Sequence, residues 1–252
     1  MLSRFFLLNQ QNQREIRVME KYYCSVSVSP MRAEVSEKSE MISQILYGET
    51  CEILETERNF SKIKMDFDGY EGWVNSTVLK KQNAEISKNV ITQSFGEFNL
   101  PEGKSLLSIG SEVGFATENF VDTNNLRESL VATAKKFLNV PFLWGGRSFF
   151  GIDDSGFVQL LYKVHGITLP RDPEQQALQG TARDFVEESE AGDLAFFEDA
   201  EGKIVHVGLV LSPFEIIHTS GKVRIDSLDF SGIYNAEQNK HTHKLRFVKT
   251  MI

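Results

Sequence analysis

The chain has 252 residues, 41% of them hydrophobic and 25% charged, which suits a folded protein of two or three modules. Its net charge of −8 argues against a nucleic-acid partner, because phosphate binding needs a basic surface. No apolar run approaches the roughly 20 residues that span a bilayer, so no membrane partner is expected.

Residues 1–18 carry an apolar stretch from Phe5 to Leu8, shorter than a signal-peptide core and followed by the polar QQNQRE. They read as a disordered tail or an upstream start artefact ahead of Met19, and a cytoplasmic location is expected. Residues 19–80 read as all-β: CSVSV, GETCEILET and FSKIKMDF alternate, and Asp68-Gly69 is a hairpin-turn dipeptide before GYEGWV. Trp73 and Val74 are expected to pack inward. Cys24 and Cys51 lie in these strand-like runs and fit buried, reduced thiols. Residues 81–122 continue with short β-like pieces broken by glycines, either a degenerate second unit of the same kind or an ordered linker.

From about residue 123 the periodicity becomes helical. Leu126, Leu130, Ala134, Phe137 and Leu138 form one stripe, and Phe157, Leu160, Leu161 and Val164 form another. His165-Gly166 closes the second helix: the glycine supplies a left-handed cap and a protonated His165 suits the helix dipole. Asp172-Pro173 opens a third, short helix. Strands follow in DLAFF, HVGLVL, FEIIH, KVRID and KLRFVK, giving an α+β order.

Three positions stand out chemically. Asp154 sits at the start of the second helix, His206 follows 52 residues later at the head of a strand, and His218 lies 12 further on, on the next strand. The segments WGG (144–146), GIDDSG (151–156), LPRD (169–172), GDLAFF, HVG and IIH, in this order, resemble the NlpC/p60 family of cell-wall peptidases. Residues 19–80 resemble a bacterial SH3-like barrel, and the whole chain resembles the cytoplasmic branch that sets SH3-like domains before the catalytic one. The resemblance implies a papain-like domain over 123–252, no cofactor, and murein peptides of the type L-Ala-γ-D-Glu-diamino acid as partner.

It also implies a nucleophilic cysteine where Asp154 stands, with His206 as its base and His218 orienting that base. A helix start and an imidazolium lower a thiol's pKa, and a carboxylate cannot replace the resulting thiolate. Ser155 is a poor stand-in, since one step along a helix turns a side chain by about 100°. Phe142 stands where the family usually carries a tyrosine facing the thiol, although core packing explains a ring there equally well. The chain as written is therefore expected to bind murein peptides without cutting them. With cysteine natively at 154 it would be a γ-D-glutamyl–diamino acid endopeptidase.

Asp154, His206 and His218 are also the ligand types of a two-histidine, one-carboxylate metal site. The family's groups run in line, so no metal is expected there. Further carry-overs are Asp172 for the substrate's free amine, or else merely a helix cap. Tyr70 and Glu34 come from the SH3-like domain leaning over the cleft, with a solvated loop the alternative for Glu34. Trp144 is expected mostly in the core with one edge on the pocket. Asp153 and Ser155 are expected as substrate hydrogen-bonders or as capping residues. His241 and His243 read as a solvated strand edge.

Overall fold

The computed structural model describes residues 20–83, 88–118, 121–122 and 124–252, so the proposed tail or start artefact at 1–18 lies outside the described residues. The described residues begin with β1 (Lys21–Cys24), β2 (Val28–Arg32), β3 (Met41–Leu46), β4 (Thr50–Glu57), β5 (Phe60–Met65), β6 (Glu71–Asn75) and β7 (Leu79–Lys81). They form one antiparallel sheet in the order β3-β2-β6-β5-β4-β1-β7. The alternating runs GETCEILET, FSKIKMDF and GYEGWV fall on β4, β5 and β6, whereas CSVSV straddles the bend between β1 and β2; in the core Cys24, Met31, Ile45, Cys51, Ile63, Met65 and Val74 pack together. Both cysteines are free and buried, and burial pushes each thiol up to about 12, so neither is a nucleophile at neutral pH.

In the described part of the middle segment, β8 (Asn89–Val90) pairs with β11 (Glu112–Val113), and β9 (Phe95–Leu100) pairs with β10 (Gly103–Ser108) as a hairpin. Its apolar side meets Tyr47, in the turn between β3 and β4, through Ile91, Leu100, Leu107 and Val113.

The C-terminal domain starts with α1 (Leu126–Lys135), the short pair β12 (Arg147–Ser148) and β13 (Gly151–Ile152), α2 (Asp154–Val164) and α3 (Pro173–Gln176). The strands β14 (Thr181–Ala182), β15 (Leu194–Glu198), β16 (Ile204–Ser212), β17 (Glu215–Ser220), β18 (Lys222–Asp229), β19 (Gly232–Asn235) and β20 (Lys240–Thr250) follow. Their order is β14-β20-β15-β16-β17-β18-β19, and β19 pairs back onto β20, so six strands close into a ring. Alternation sorts the side chains. Leu194, Phe196, Val207, Leu209 and Ile217 pack under the stripes of α1 and α2, while Ala195, Phe197, Val210, Ile216, Leu228, Ile233 and Val248 fill the ring.

Strand β19 carries no sequence signal and was not anticipated. The cap of α2 also differs in detail. Gly166 takes the left-handed conformation at φ +80°, but His165 is buried and its pKa is lowered by that burial, so it is neutral. It holds the helix end by hydrogen bonds, its Nδ1–H donating to Leu161 O at 2.7 Å and its Nε2 accepting from the Ser129 hydroxyl at 3.1 Å, not by charge. Among the described residues no helix is long and apolar enough to cross a membrane.

The domains are locked by a buried ionic cluster. Arg147, 2% exposed, donates to both carboxylate oxygens of Glu49, at 2.9 and 2.5 Å, and to Gln159 Oε1 at 2.6 Å. Lys163 of α2 reaches the same Glu49 at 2.5 Å and Glu112 of the middle segment at 3.0 Å. Burial alone would raise the Glu49 pKa, but the charges of Arg147 and Lys163 outweigh it and hold the carboxyl well below its ordinary range.

Candidate active site

Asp153 caps α2, its Oδ1 accepting the Gly156 N–H at 2.7 Å, and this sets Asp154 as the first residue of the helix. From there the Asp154 Oδ2 meets His206 Nδ1 at 2.8 Å and accepts the Val207 N–H at 3.2 Å. His206 and His218 lie on adjacent strands, with Gly208 directly opposite His218. A Cβ on Gly208 would come within 2.9 Å of the His218 Cβ, so the glycine lets the second ring reach the first. His206 Nε2 and His218 Nδ1 are 2.9 Å apart, and His218 Nε2 lies 3.0 Å from Asp226 Oδ2. Arg224 grips the same Asp226 carboxylate at 2.7 and 2.9 Å.

The result is a line, Asp154–His206–His218–Asp226–Arg224, with His206 and His218 almost fully buried. Burial works to raise both aspartate pKa values. It is outweighed at Asp154 by the charge and hydrogen bond of His206, and at Asp226 by the hydrogen bonds of His218 and Arg224, so both carboxyls are held below their ordinary range. For His218 burial prevails over Asp226 and lowers the pKa. Asp154 and His218 occupy opposite nitrogens of the His206 ring, so Asp154, His206 and His218 do not converge on one point as metal ligands.

Two members of the site escaped the sequence reading. Asp226 lies on a strand that gave no chemical motif. His243 was expected on a solvated edge with His241, but only His241 is there, exposed and paired with Asp229 at 2.9 Å. A bulge makes the difference: Ile233 pairs with His243 and the next residue, Tyr234, with His241, so Thr242 is an extra residue that breaks the alternation. His243 therefore turns inward and stacks on His206, centroids 4.2 Å apart at 25°. Burial and then the neighbouring His206 and His218 charges push its pKa down to about 3.

The profile of the NlpC/P60 family matches residues 139–244, and that of the bacterial dipeptidyl-peptidase SH3 domain matches residues 31–79. The C-terminal unit is an NlpC/P60 domain. It follows a bacterial SH3 domain, and the fold agrees with both. The chain is 38% identical over 123 residues, 48% of its length, to a γ-D-glutamyl-L-lysine dipeptidyl-peptidase of Bacillus cereus, but spans only 36% of that protein. It is 29% identical over 217 residues to the Bacillus subtilis protein of the same name, covering 70% of this chain and 71% of that one. A crystal structure of an NlpC/P60 family protein from Bacillus cereus superposes with a TM-score of 0.76 at 19% identity, over 92% of this chain and 99% of that one.

Around the NlpC/P60 domain's aspartate–histidine line, the other expected site residues divide into two groups. Asp153 and Ser155 are buried and engaged within the protein. The Asp153 Oδ2 accepts from the Gly145 N–H at 3.0 Å and from Arg171 at 2.5 Å, and Arg171 also donates to Ser155 Oγ at 2.7 Å. The Asp172 carboxylate makes no capping bond to α3, although Asp172 is the N-cap residue. Instead its Oδ1 accepts the Tyr70 hydroxyl at 3.2 Å, which ties the SH3 domain to the start of α3.

Trp144 is not in the core. It is 64% exposed, and its indole N–H donates to Glu40 Oε1 at 2.7 Å. The loop that carries it lies against the SH3 domain, because Gly145, at φ +72°, would place a Cβ 2.2 Å from the Met41 carbonyl oxygen. Phe142 is 39% exposed beside it, so core packing does not account for that ring. Glu34 is exposed on its loop, where its backbone N–H donates to Ser39 Oγ. Glu40, at the end of the same loop, is the residue that holds the Trp144 indole, and it lies in no sequence motif.

Proposed function

We propose that this chain recognises murein peptides of the type L-Ala-γ-D-Glu-diamino acid and does not hydrolyse them. The observation that carries the reading is the Asp154 carboxylate at the head of α2, 2.8 Å from His206 Nδ1. It takes the place where the family resemblance puts a thiolate, keeps the negative charge, and lacks the reactivity. Attack of a carboxylate on an amide would give an anhydride, a higher-energy product than the acyl-thioester of a cysteine. The thiols Cys24 and Cys51 lie in the core of the N-terminal sheet, and the buried Ser155 hydroxyl is held by Arg171. The two relatives named for γ-D-glutamyl-L-lysine dipeptides support the substrate class. The cytoplasmic recycling setting we attach to it follows from the sequence resemblance.

The cleft edge supplies what recognition needs. Asp172 offers a carboxylate that is not spent on helix capping, Tyr70 orients it, and Phe142, Leu143 and Trp144 present exposed apolar surface on the loop before α2. A free N-terminal ammonium on the peptide fits Asp172. L-Ala-γ-D-Glu-L-Lys is expected to bind saturably by calorimetry, and its N-acetylated form to bind at least tenfold worse. Asp172→Ala should weaken binding of the free peptide by about 2 kcal/mol, at the low end for a charge pair because the site is only half-buried. Equal affinities for the free and acetylated peptides would remove Asp172 from the amine-binding role.

A further inference from the structure

We propose that His206, His218 and His243 form a binding site for a divalent transition-metal cation of the zinc type, with Asp154 and Asp226 as its outer carboxylates. One nitrogen from each ring lies within 4.8 Å of those of the other two. The rings meet edge to face for His206 and His218, at 5.1 Å, and for His218 and His243, at 5.6 Å, while His243 stacks on His206.

The outward hydrogen bonds decide which nitrogens face inward. His206 Nδ1 faces the Asp154 carboxylate at 2.8 Å and His218 Nε2 faces that of Asp226 at 3.0 Å, so these nitrogens are the donors. Thr242 Oγ1 donates to Ile233 O at 3.4 Å, so it accepts from His243 Nδ1 at 2.9 Å and leaves Nε2 as the free lone pair. Each imidazole thus has an outer partner that fixes its tautomer, as metal-bound histidines usually do. The consequence at the centre is that His206 Nε2 and His218 Nδ1 face each other at 2.9 Å, with room for one shared proton or for a cation in its place.

A metal ion replaces that proton and recruits His243. With Zn–N bonds of about 2.0–2.1 Å, tetrahedral ligand nitrogens lie roughly 3.3 Å apart. His206 and His218 need to separate by only a few tenths of an ångström, while the partly buried His243 has to rotate off the His206 ring. Imidazole ligands suit zinc, copper and nickel, and a three-histidine set leaves one position for water or ligand. This site differs from a two-histidine, one-carboxylate centre, because Asp154 orients a ligand and does not become one. It is also independent of whether murein peptides bind.

The test is calorimetric titration of the tag-free, metal-stripped full chain with Zn²⁺, paralleled by Co²⁺ absorption in the visible. One equivalent per chain is expected, with the intense bands of four-coordinate cobalt. His243→Ala should weaken binding at least tenfold, and Asp154→Asn about 10- to 100-fold through loss of the outer carboxylate. His241→Ala, on the exposed side of the bulge, should leave affinity unchanged. Circular dichroism establishes that each variant is folded, and His243→Gln substitutes for alanine if that variant is not. Absence of saturable binding, or equal affinity for the wild-type chain and His243→Ala, would overturn the proposal.

Discussion

Asp154→Cys is expected to convert the protein into a hydrolase that releases L-Ala-γ-D-Glu from L-Ala-γ-D-Glu-L-Lys, against a wild-type background indistinguishable from buffer. The other groups of the reaction are in place. A thiol at the first position of α2 sits at the positive end of the helix dipole, beside the His206 Nδ1 that now faces the Asp154 carboxylate at 2.8 Å. His206 is oriented through His218 by Asp226 and Arg224. It can take the thiol proton and return it to the leaving amine. The gain should be partial, because Phe142, where the family resemblance expects a tyrosine facing the thiol, offers no hydroxyl. Adding Phe142→Tyr should raise turnover of the cysteine variant, by up to about 10²-fold if the hydroxyl stabilises the transition state. It should do nothing for the aspartate form. A folded cysteine variant that reacts with iodoacetamide at neutral pH, binds the peptide and still fails to cleave it would show that the residues around position 154 are not a preserved catalytic framework.

The second large effect concerns stability. Glu49→Gln should destabilise the protein by about 3–5 kcal/mol, because it leaves the buried Arg147 and Lys163 without their common counter-charge. For a chain of this size that corresponds to a fall of roughly 10 °C in melting temperature. The sign of the pH dependence follows from the same cluster. The Glu49 pKa is depressed in the folded state from its ordinary 4.5 to about 2, so its contribution is complete above pH 4.5 and is lost as the pH falls toward 2. Acid melting curves of the wild-type chain and the Glu49→Gln variant should therefore converge over this range. A Tm change below 2 °C on Glu49→Gln at pH 7 would refute the locking role.

Much of this was legible because it is local. Alternation gave β4, β5, β6 and the long strands β15 to β18 and β20, and the stripes Leu126–Ala134 and Phe157–Val164 gave the helices whose buried faces cover the C-terminal sheet. His206 and His218 could be placed because motif spacing put them on neighbouring strands. The missing parts depend on contacts distant in sequence or on a single irregular residue. Glu49 and Arg147 are 98 positions apart, and neither lies in a pattern that announces a buried ion pair. Asp226 matters only through the register that sets β18 beside β17. His243 was misplaced because a period-2 reading assigns it the same side as His241, and the bulge at Thr242 is invisible to that rule. Trp144 was misjudged because a large ring suggests a core, whereas its loop is held outward against the SH3 domain by Gly145 and Glu40.

The central claim is that the aspartate-headed site holds the peptide and leaves it intact. Incubation of the unmodified protein with saturating L-Ala-γ-D-Glu-L-Lys, with binding followed by calorimetry and the peptide by mass spectrometry, tests it most directly. The account predicts saturable binding with all of the tripeptide recovered uncut after hours, whether or not zinc or a chelator is present. Protein-dependent appearance of L-Ala-γ-D-Glu and free lysine, abolished by His206→Ala, would contradict it.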